Sequence, residues 1–288
     1  MHESISAFHI EQMQNCAGGL VKGRLSETRV IVTGGSSGIG FAIVRALARE
    51  GAFVGMAARA GQRLKDAKQL LRSEGLEALA VVLDVESYES ITEVVNLLKS
   101  HWGGVDVLFN CAGIGMDQFN PEFTSKAAPF YTFTHEQLSK AMRVNYIGGF
   151  AVTQSFMPLF IEEGHGRIIN VGADERTIAV RGFAPVGPAR AATNALTMIM
   201  ARELEGSSIT ANLLTPGGFV ATHSMPADAP EVNFGRLLSP DIMGEPAVFL
   251  SSHLAEGING EHIVAAEFSS WISDRGHAGK WNEWYGPR

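Results

Sequence analysis

The chain's 288 residues hold 23 Lys and Arg against 30 Asp and Glu, a net charge of −7, and 45% of them are apolar. That balance supplies a sizeable core and excludes nucleic acid as the main partner, because phosphate binding needs a basic surface. No apolar run approaches the ~20 residues of a membrane helix, and two cysteines, Cys16 and Cys111, make no disulfide framework. A cytoplasmic protein without membrane contact is the expectation.

In chain order, residues 1–27 are polar and weakly patterned, an extension without the basic-then-apolar order of a secretory leader,. Apolar, β-branched runs then read as strands at residues 29–33, 53–57, 78–83, 105–109, 167–171, 209–214 and 262–265,. Helical stretches separate them. In residues 38–50, for example, Ala42, Ile43, Ala46 and Leu47 share one face and Arg45 and Arg49 the other,. Short apolar strands alternating with helices predict one α/β domain over residues 28–268, a doubly wound parallel sheet of about seven strands with helices on both faces. Ligand then belongs at the carboxyl ends of the strands. Two long connections, residues 114–135 and 222–240, follow strands on that side and read as walls of a substrate pocket or as surface insertions,. The nine histidines show no zinc spacing, and no metal is expected,. Residues 269–288 form a tail rich in Trp and Tyr, which reads as an oligomer contact or as packing on its own domain,.

The glycine-rich Thr33-Gly34-Gly35-Ser36-Ser37-Gly38-Ile39-Gly40 lies between a strand and a helix. In that context glycines let the backbone approach a pyrophosphate, and the helix N-terminus offers it free N–H groups. The segment places Gly34, Ser36, Ser37, Gly38, Ile39 and Gly40 at the phosphates. At the end of the second strand, Ala58 removes the acid that would bind a ribose 2′-hydroxyl, and Arg59 supplies a cation for a 2′-phosphate,. NADP is expected over NAD.

Thr33–Gly40, Leu83-Asp84-Val85, Asn110-Cys111-Ala112-Gly113, Val144-Asn145, Gly166 to Val171 and Thr215-Pro216-Gly217 on to Thr222 occur in order and at fitting spacing. Through them the chain resembles the short-chain dehydrogenase/reductase family, almost from end to end. The resemblance implies a Rossmann-like fold, an adenine contact at Asp84 and Val85, cofactor contacts at Asn110, Ala112, Gly113, Pro216, Gly217 and Thr222, and a small-molecule substrate. It also implies a homodimer or homotetramer.

The positions that the resemblance aligns with the family's Ser, Tyr and Lys read Ala173, Val186 and Arg190. Neither Ala173 nor Val186 can hydrogen-bond, and Arg190 donates but is no general acid or base. Arg190 remains able to hold the ribose hydroxyls. Asp174, followed by Glu175 and Arg176, is the candidate replacement acid, against an ordinary ion pair. Tyr131 and His135 are more distant donors. Asn145 is either a proton-relay residue, as in the family, or a structural one. The open functions are an NAD(P)-dependent oxidoreductase acting on an imine, iminium or conjugated alkene, a non-redox isomerase, dehydratase or cyclase, and a silent nucleotide-binding protein. Specialised metabolism would suit either enzyme by fold-level analogy.

Overall fold

The structure, a computed structural model, describes residues 23–225, 229–230 and 234–286. Most of the expected extension, with Cys16, lies outside the described residues. The strands are β1 (Arg29–Thr33), β2 (Phe53–Ala58), β3 (Leu79–Val82), β4 (Val107–Asn110), β5 (Gly166–Val171), β6 (Ile209–Thr215) and β7 (His262–Val264). They form one parallel sheet in the order β3-β2-β1-β4-β5-β6-β7. The ends differ from the sequence reading by one or two residues,: β2, β5, β6 and the end of β4 run one residue further, while β3, β7 and the start of β4 are shorter, because burial there extends past the point where ladder pairing stops. Val105 is fully buried, for instance, yet β4 begins at Val107.

Alternation along each strand divides the apolar side chains between two cores. Val30 and Val32 of β1 pack with Ile43, Val44 and Leu47 of helix α1 (Gly38–Arg49) and with Leu64 and Leu71 of α2 (Gln62–Ser73). Ile31 points the other way, toward α3 (Tyr88–Trp102) and toward α5 (Gly148–Glu163), which follows α4 (His135–Met142). The strand order reverses at β1, which has β2 on one side and β4 on the other. The connections leaving β1 and β4 therefore diverge and open a crevice at their carboxyl ends.

At the opposite ends of the same strands, Arg29 grips Asp106 through Nη2–Oδ1 (2.7 Å) and Nε–Oδ2 (3.1 Å). Burial works against the Asp106 carboxylate, but hydrogen bonds from Arg29 and His165 hold it below its ordinary value,. Its contribution to stability is whole above about pH 4, its unfolded range, and drains away as pH falls through the lowered folded value. The remaining helices are α6 (Glu175–Ile178), α7 (Val186–Glu203), α8 (Gly244–Ser251), α9 (Phe268–Asp274) and α10 (Ala278–Tyr285). No helix among the described residues is long and apolar enough to cross a membrane.

The aromatic tail packs on its own domain. Trp281 of α10 is 3% exposed; its ring lies 5.4 Å from Phe249 of α8, Tyr285 stacks on it at 4.4 Å, and its Nε1 donates to Glu245. Burying indole area against Phe249 and Phe268 is what fixes α9 and α10 in place,. Trp281→Ala should cost about 3–5 kcal/mol, the usual range for an emptied aromatic site, as a fall in the urea midpoint with unchanged slope. Asp106→Asn should cost about 1–3 kcal/mol near neutral pH, and the gap to the parent protein should close on acidification.

Candidate functional site

The crevice begins at the β1–α1 connection. Gly34 (φ +66°) and Gly38 (φ +53°) take left-handed conformations that favour glycine,. A Cβ on Gly34 would meet the Ala112 backbone at 2.8 Å, and one on Gly40 would stand 2.3 Å from the Gly34 carbonyl oxygen. The turn is therefore pressed against both the β4 end and its own helix. Ser37 precedes α1 without a side-chain cap, so the first N–H groups of the helix are left for a ligand,. In front of them lies a cleft of about 800 Å³, within the range of cofactor sites.

The cleft brings together Gly34, Ser36, Ser37, Gly38, Ile39, Gly40, Arg59, Asp84, Val85, Ala112, Gly113, Arg190, Pro216 and Thr222. Glycines at the close approaches and an uncapped helix end fit a dinucleotide. Arg59 sits just past the end of β2 and is followed by Arg63, which also lines the cleft. Two expected contacts are placed elsewhere. Asn110 lies under the floor, donating to Thr153 Oγ1 (2.7 Å) and Asn170 Oδ1 (2.9 Å), and Asn170 passes the chain on to Thr197. Gly217 turns (φ +91°) beside β7, where a Cβ would strike Val264 at 2.7 Å, and its carbonyl accepts from Arg176 Nη2 (2.9 Å).

Asn145 falls in a π-helical turn, Arg143–Ile147, between α4 and α5. Its side chain clamps Ile114, accepting from the backbone N–H (2.7 Å) and donating to the carbonyl (3.0 Å), while its own carbonyl accepts from Thr193 Oγ1 (2.9 Å). Asn145 thus pins the start of the 114–135 connection. Asn110 and Asn145 line a small cavity of about 10 Å³, together with Arg190.

Asp174 is 9% exposed and is not part of the cleft lining, although Ala173 and Thr177 on either side are. Its Oδ1 caps α6 by accepting from the Arg176 N–H (3.0 Å), with the Arg176 guanidinium at 3.5 Å. The cap and the ion pair both engage Oδ1 and hold the side chain away from the cleft, while Oδ2 is buried without a hydrogen-bond partner,. Tyr131, 75% exposed, packs on Phe130, and His135 opens α4 at the surface. Neither lines the cleft.

Arg190 stands one turn into α7. Its Nη1 donates to the Val171 carbonyl (3.3 Å), and its Nη2 lies against Gly113, where a Cβ would stand 2.3 Å away. No ion pair with a carboxylate engages it among the described residues. Burial pushes the guanidinium down from its ordinary value, and the same burial pushes the neighbouring Cys111 thiol up to about 12,. One turn further on, Asn194 grips Ala173 by donating to its carbonyl (2.6 Å). Sequence reading missed Asn194, though its i+4 relation to Arg190 was visible.

Beyond Val186 lies a cluster of Phe rings. Phe219, at the cleft wall, meets Phe183 (5.8 Å) and Phe234 (5.1 Å) edge to face, and Phe123 meets Phe183 (5.9 Å). Val186, Met116 and Met225 pack among them. Both long connections contribute, since Phe123 belongs to the first and Phe234 to the second. No group of three His, Cys, Asp or Glu that would hold a metal occurs among the described residues.

The profile of the short chain dehydrogenase family matches residues 28–231. A gluconate 5-dehydrogenase of Gluconobacter oxydans is 30% identical over 249 residues, covering 83% of this chain and 93% of its own. A short chain dehydrogenase from Burkholderia cenocepacia in complex with NADP superposes with a TM-score of 0.71 at 25% identity, over 84% of this chain and 97% of that one. An actinorhodin polyketide ketoreductase with NADPH gives 0.71 at 26% identity, over 83% and 96%. The close approach at Gly40 yields a direct test. Gly40→Ala should cost about 1–3 kcal/mol through backbone overlap, read as a lowered melting temperature, and should abolish dinucleotide binding in calorimetry.

Proposed function

From the premise that the chain belongs to the short chain dehydrogenase family of NAD(P)-dependent oxidoreductases, we propose that it uses NADPH to reduce a conjugated carbon–carbon double bond beside a carbonyl group. The observation that carries this reading is Arg190. It is a cation lining the cleft with no carboxylate bound to it among the described residues, beside Ala173, at the position that the resemblance aligns with the family's Ser; Val186, at the Tyr position, is packed behind the cleft in the aromatic cluster. When bound, NADPH supplies the hydride. Addition at the β-carbon of the acceptor moves an electron pair onto the carbonyl oxygen, and the α-carbon then takes a proton from solvent. Arg190 presents N–H donors where that negative charge develops, and in a desolvated site such donors stabilise it strongly. No Tyr is needed, because the oxygen is not protonated in the hydride step. Asn194 and Asn145 act as positioning residues, fixing the backbone of Ala173 and Ile114 on either side. An iminium acceptor is less well served, since the acid that would balance its charge, Asp174, caps α6. The aromatic wall at Phe219 selects apolar acceptors,.

Arg59, with Ala58 in place of an acid, favours NADPH over NADH,. The unpaired thiol of Cys111 suits a reducing compartment, the cytoplasm,. Exposed apolar side chains on α5 (Phe150, Ile161) and α7 (Met198, Ile199), with Ile147 just ahead of α5, favour a homodimer or homotetramer built across these helices,.

Purified protein should oxidise NADPH with a conjugated enone and yield the saturated ketone, while leaving the saturated ketone itself untouched. Alcohol as the product, or no NADPH oxidation with any conjugated acceptor, would refute the assignment. Arg190→Met should lower kcat about 10²–10³-fold. Arg59→Ala should weaken NADPH at least about tenfold, roughly the worth of a charge-assisted contact, with NADH affinity unchanged. Light scattering should give a multiple of the chain mass, reduced to one chain by Phe150→Glu.

A further inference from the structure

The segment after β6 reaches over the mouth of the cleft. Thr222 and Met225 close a tight turn by exchanging backbone hydrogen bonds (3.1 and 3.0 Å), with His223 and Ser224 at its tip. The Thr222 methyl stands 3.1 Å from where a Cβ on Gly38 would be, at the start of α1. From the opposite wall Arg63, in the first turn of α2, donates from Nη1 to His223 Nε2 (3.1 Å). A guanidinium has only donors, so this nitrogen accepts, and the imidazole is neutral with its proton on Nδ1. Thr222, His223, Ser224 and Arg63 all line the cleft, and the bond runs across it in front of the uncapped end of α1.

The other side of the turn faces an acid. Ser224 Cβ and Asp117 Oδ1 stand 2.9 and 2.7 Å from one point, the Cβ position of Gly115 in the β4–α4 connection. Gln118 Nε2 donates to Asp117 Oδ2 (2.7 Å), whereas Oδ1 is buried without a partner. Arg63 from α2 and Asp117 from the β4–α4 connection are the charged groups that face His223 among the described residues; Ser224 Oγ, 3.3 Å from Nε2, is a neutral one. Burial, and then Arg63, hold the imidazole below its ordinary value, and Asp117 opposes them,. Protonation changes which wall the turn can bond. An Nε2 that carries a proton no longer accepts from Arg63 and is repelled by it, but it can donate, and the acceptor left without a donor on that side is Asp117 Oδ1,.

Resting on the dinucleotide reading above, we propose that His223 is a two-position latch on the cleft entrance. Neutral, it ties the 222–225 turn to Arg63 and keeps the entrance shut; protonated, it releases α2, pairs with Asp117 on the β4–α4 side and opens the way in. Acidification therefore speeds dinucleotide entry. The first test is the association rate of NADH, which has no titrating 2′-phosphate, followed by energy transfer from tryptophan after rapid mixing. The rate should rise at least about threefold from about pH 7.5 to about pH 5.5, the worth of one net hydrogen bond. His223→Gln keeps an acceptor for Arg63 but does not titrate, and should stay slow at both pH values. Arg63→Ala has no bond to break and should be fast at both. The second test is the titration of the His223 imidazole by NMR, where Arg63→Ala should raise the midpoint and Asp117→Asn should lower it. A parent rate that does not change with pH, or a His223→Gln variant that keeps the parent's pH response, would overturn the latch. So would an unshifted midpoint in Asp117→Asn. A parent protein that binds no NADH at any pH, with the His223 midpoint still shifting in both variants, would instead sink the proposed function, and with it the entry step that the latch is assigned to control.

Discussion

The site hangs on one hydroxyl group. Thr33 ends β1, and its Oγ1 donates to the Phe109 carbonyl (3.3 Å) while accepting from the N–H groups of Cys111 (3.0 Å) and Ala112 (3.1 Å). Those are the last peptides of β4 and the first of its outgoing connection. Without this bond the chain leaving β4 would present unpaired donors in a partly buried place, at a cost of up to about 1–3 kcal/mol each,. With it, Ala112 is held where Gly34 must have no Cβ, and Gly113 is held under the Arg190 guanidinium. The glycine turn, the floor of the cleft and the cation at its acceptor end are thus located relative to one another by a single side chain at the sheet's reversal point.

Polar satisfaction explains the rest of the layout. Asn110 and Asn170, adjacent on β4 and β5, are joined by a hydrogen bond that runs on to Thr197 of α7, so that helix is tied to the sheet directly behind the cleft. Asp174 and Asn194 are likewise spent on backbone groups. Arg190 has the most donors left over, with one carbonyl for five possible donor hydrogens,. Asn110 Oδ1 and Asp174 Oδ2 are also buried without a partner, but both can only accept; Arg190 is the group with donors left for a ligand that develops negative charge,.

Much of the fold was legible because local chemistry and global position agree in it. The first strand is apolar and β-branched for the same length over which it is buried, and the glycine turn carries its own signature. The places where reading failed have physical causes. Asp174 read as a replacement acid because charge at a strand end is unusual, but Asp before Glu-Arg-Thr-Ile is also a helix cap, and the cap is what the structure has,. Asn110 belongs to a motif associated with cofactor, yet its side chain is committed to partners 43 and 60 residues away. The meeting of Arg63 with His223 spans 160 residues, and the Phe rings come from four separate segments. Contacts made by the coming together of loops leave no periodicity for a sequence to display.

Arg24 has a consequence for how this chain matures. Its guanidinium donates to the carbonyls of Trp284 (2.6 Å) and Tyr285 (2.8 Å) and to Glu50 (2.8 Å), the residue that ends α1. The helix whose first turn faces the cleft is thereby latched at its far end by α10, more than 230 residues further along the chain. During vectorial synthesis β1, α1 and β2 emerge early, but their outer face stays open until Phe268 and Trp281 arrive to cover it,. Long-range closure of this kind is slow compared with helix formation. The nascent nucleotide half therefore keeps an apolar flank exposed until α9 and α10 have been made.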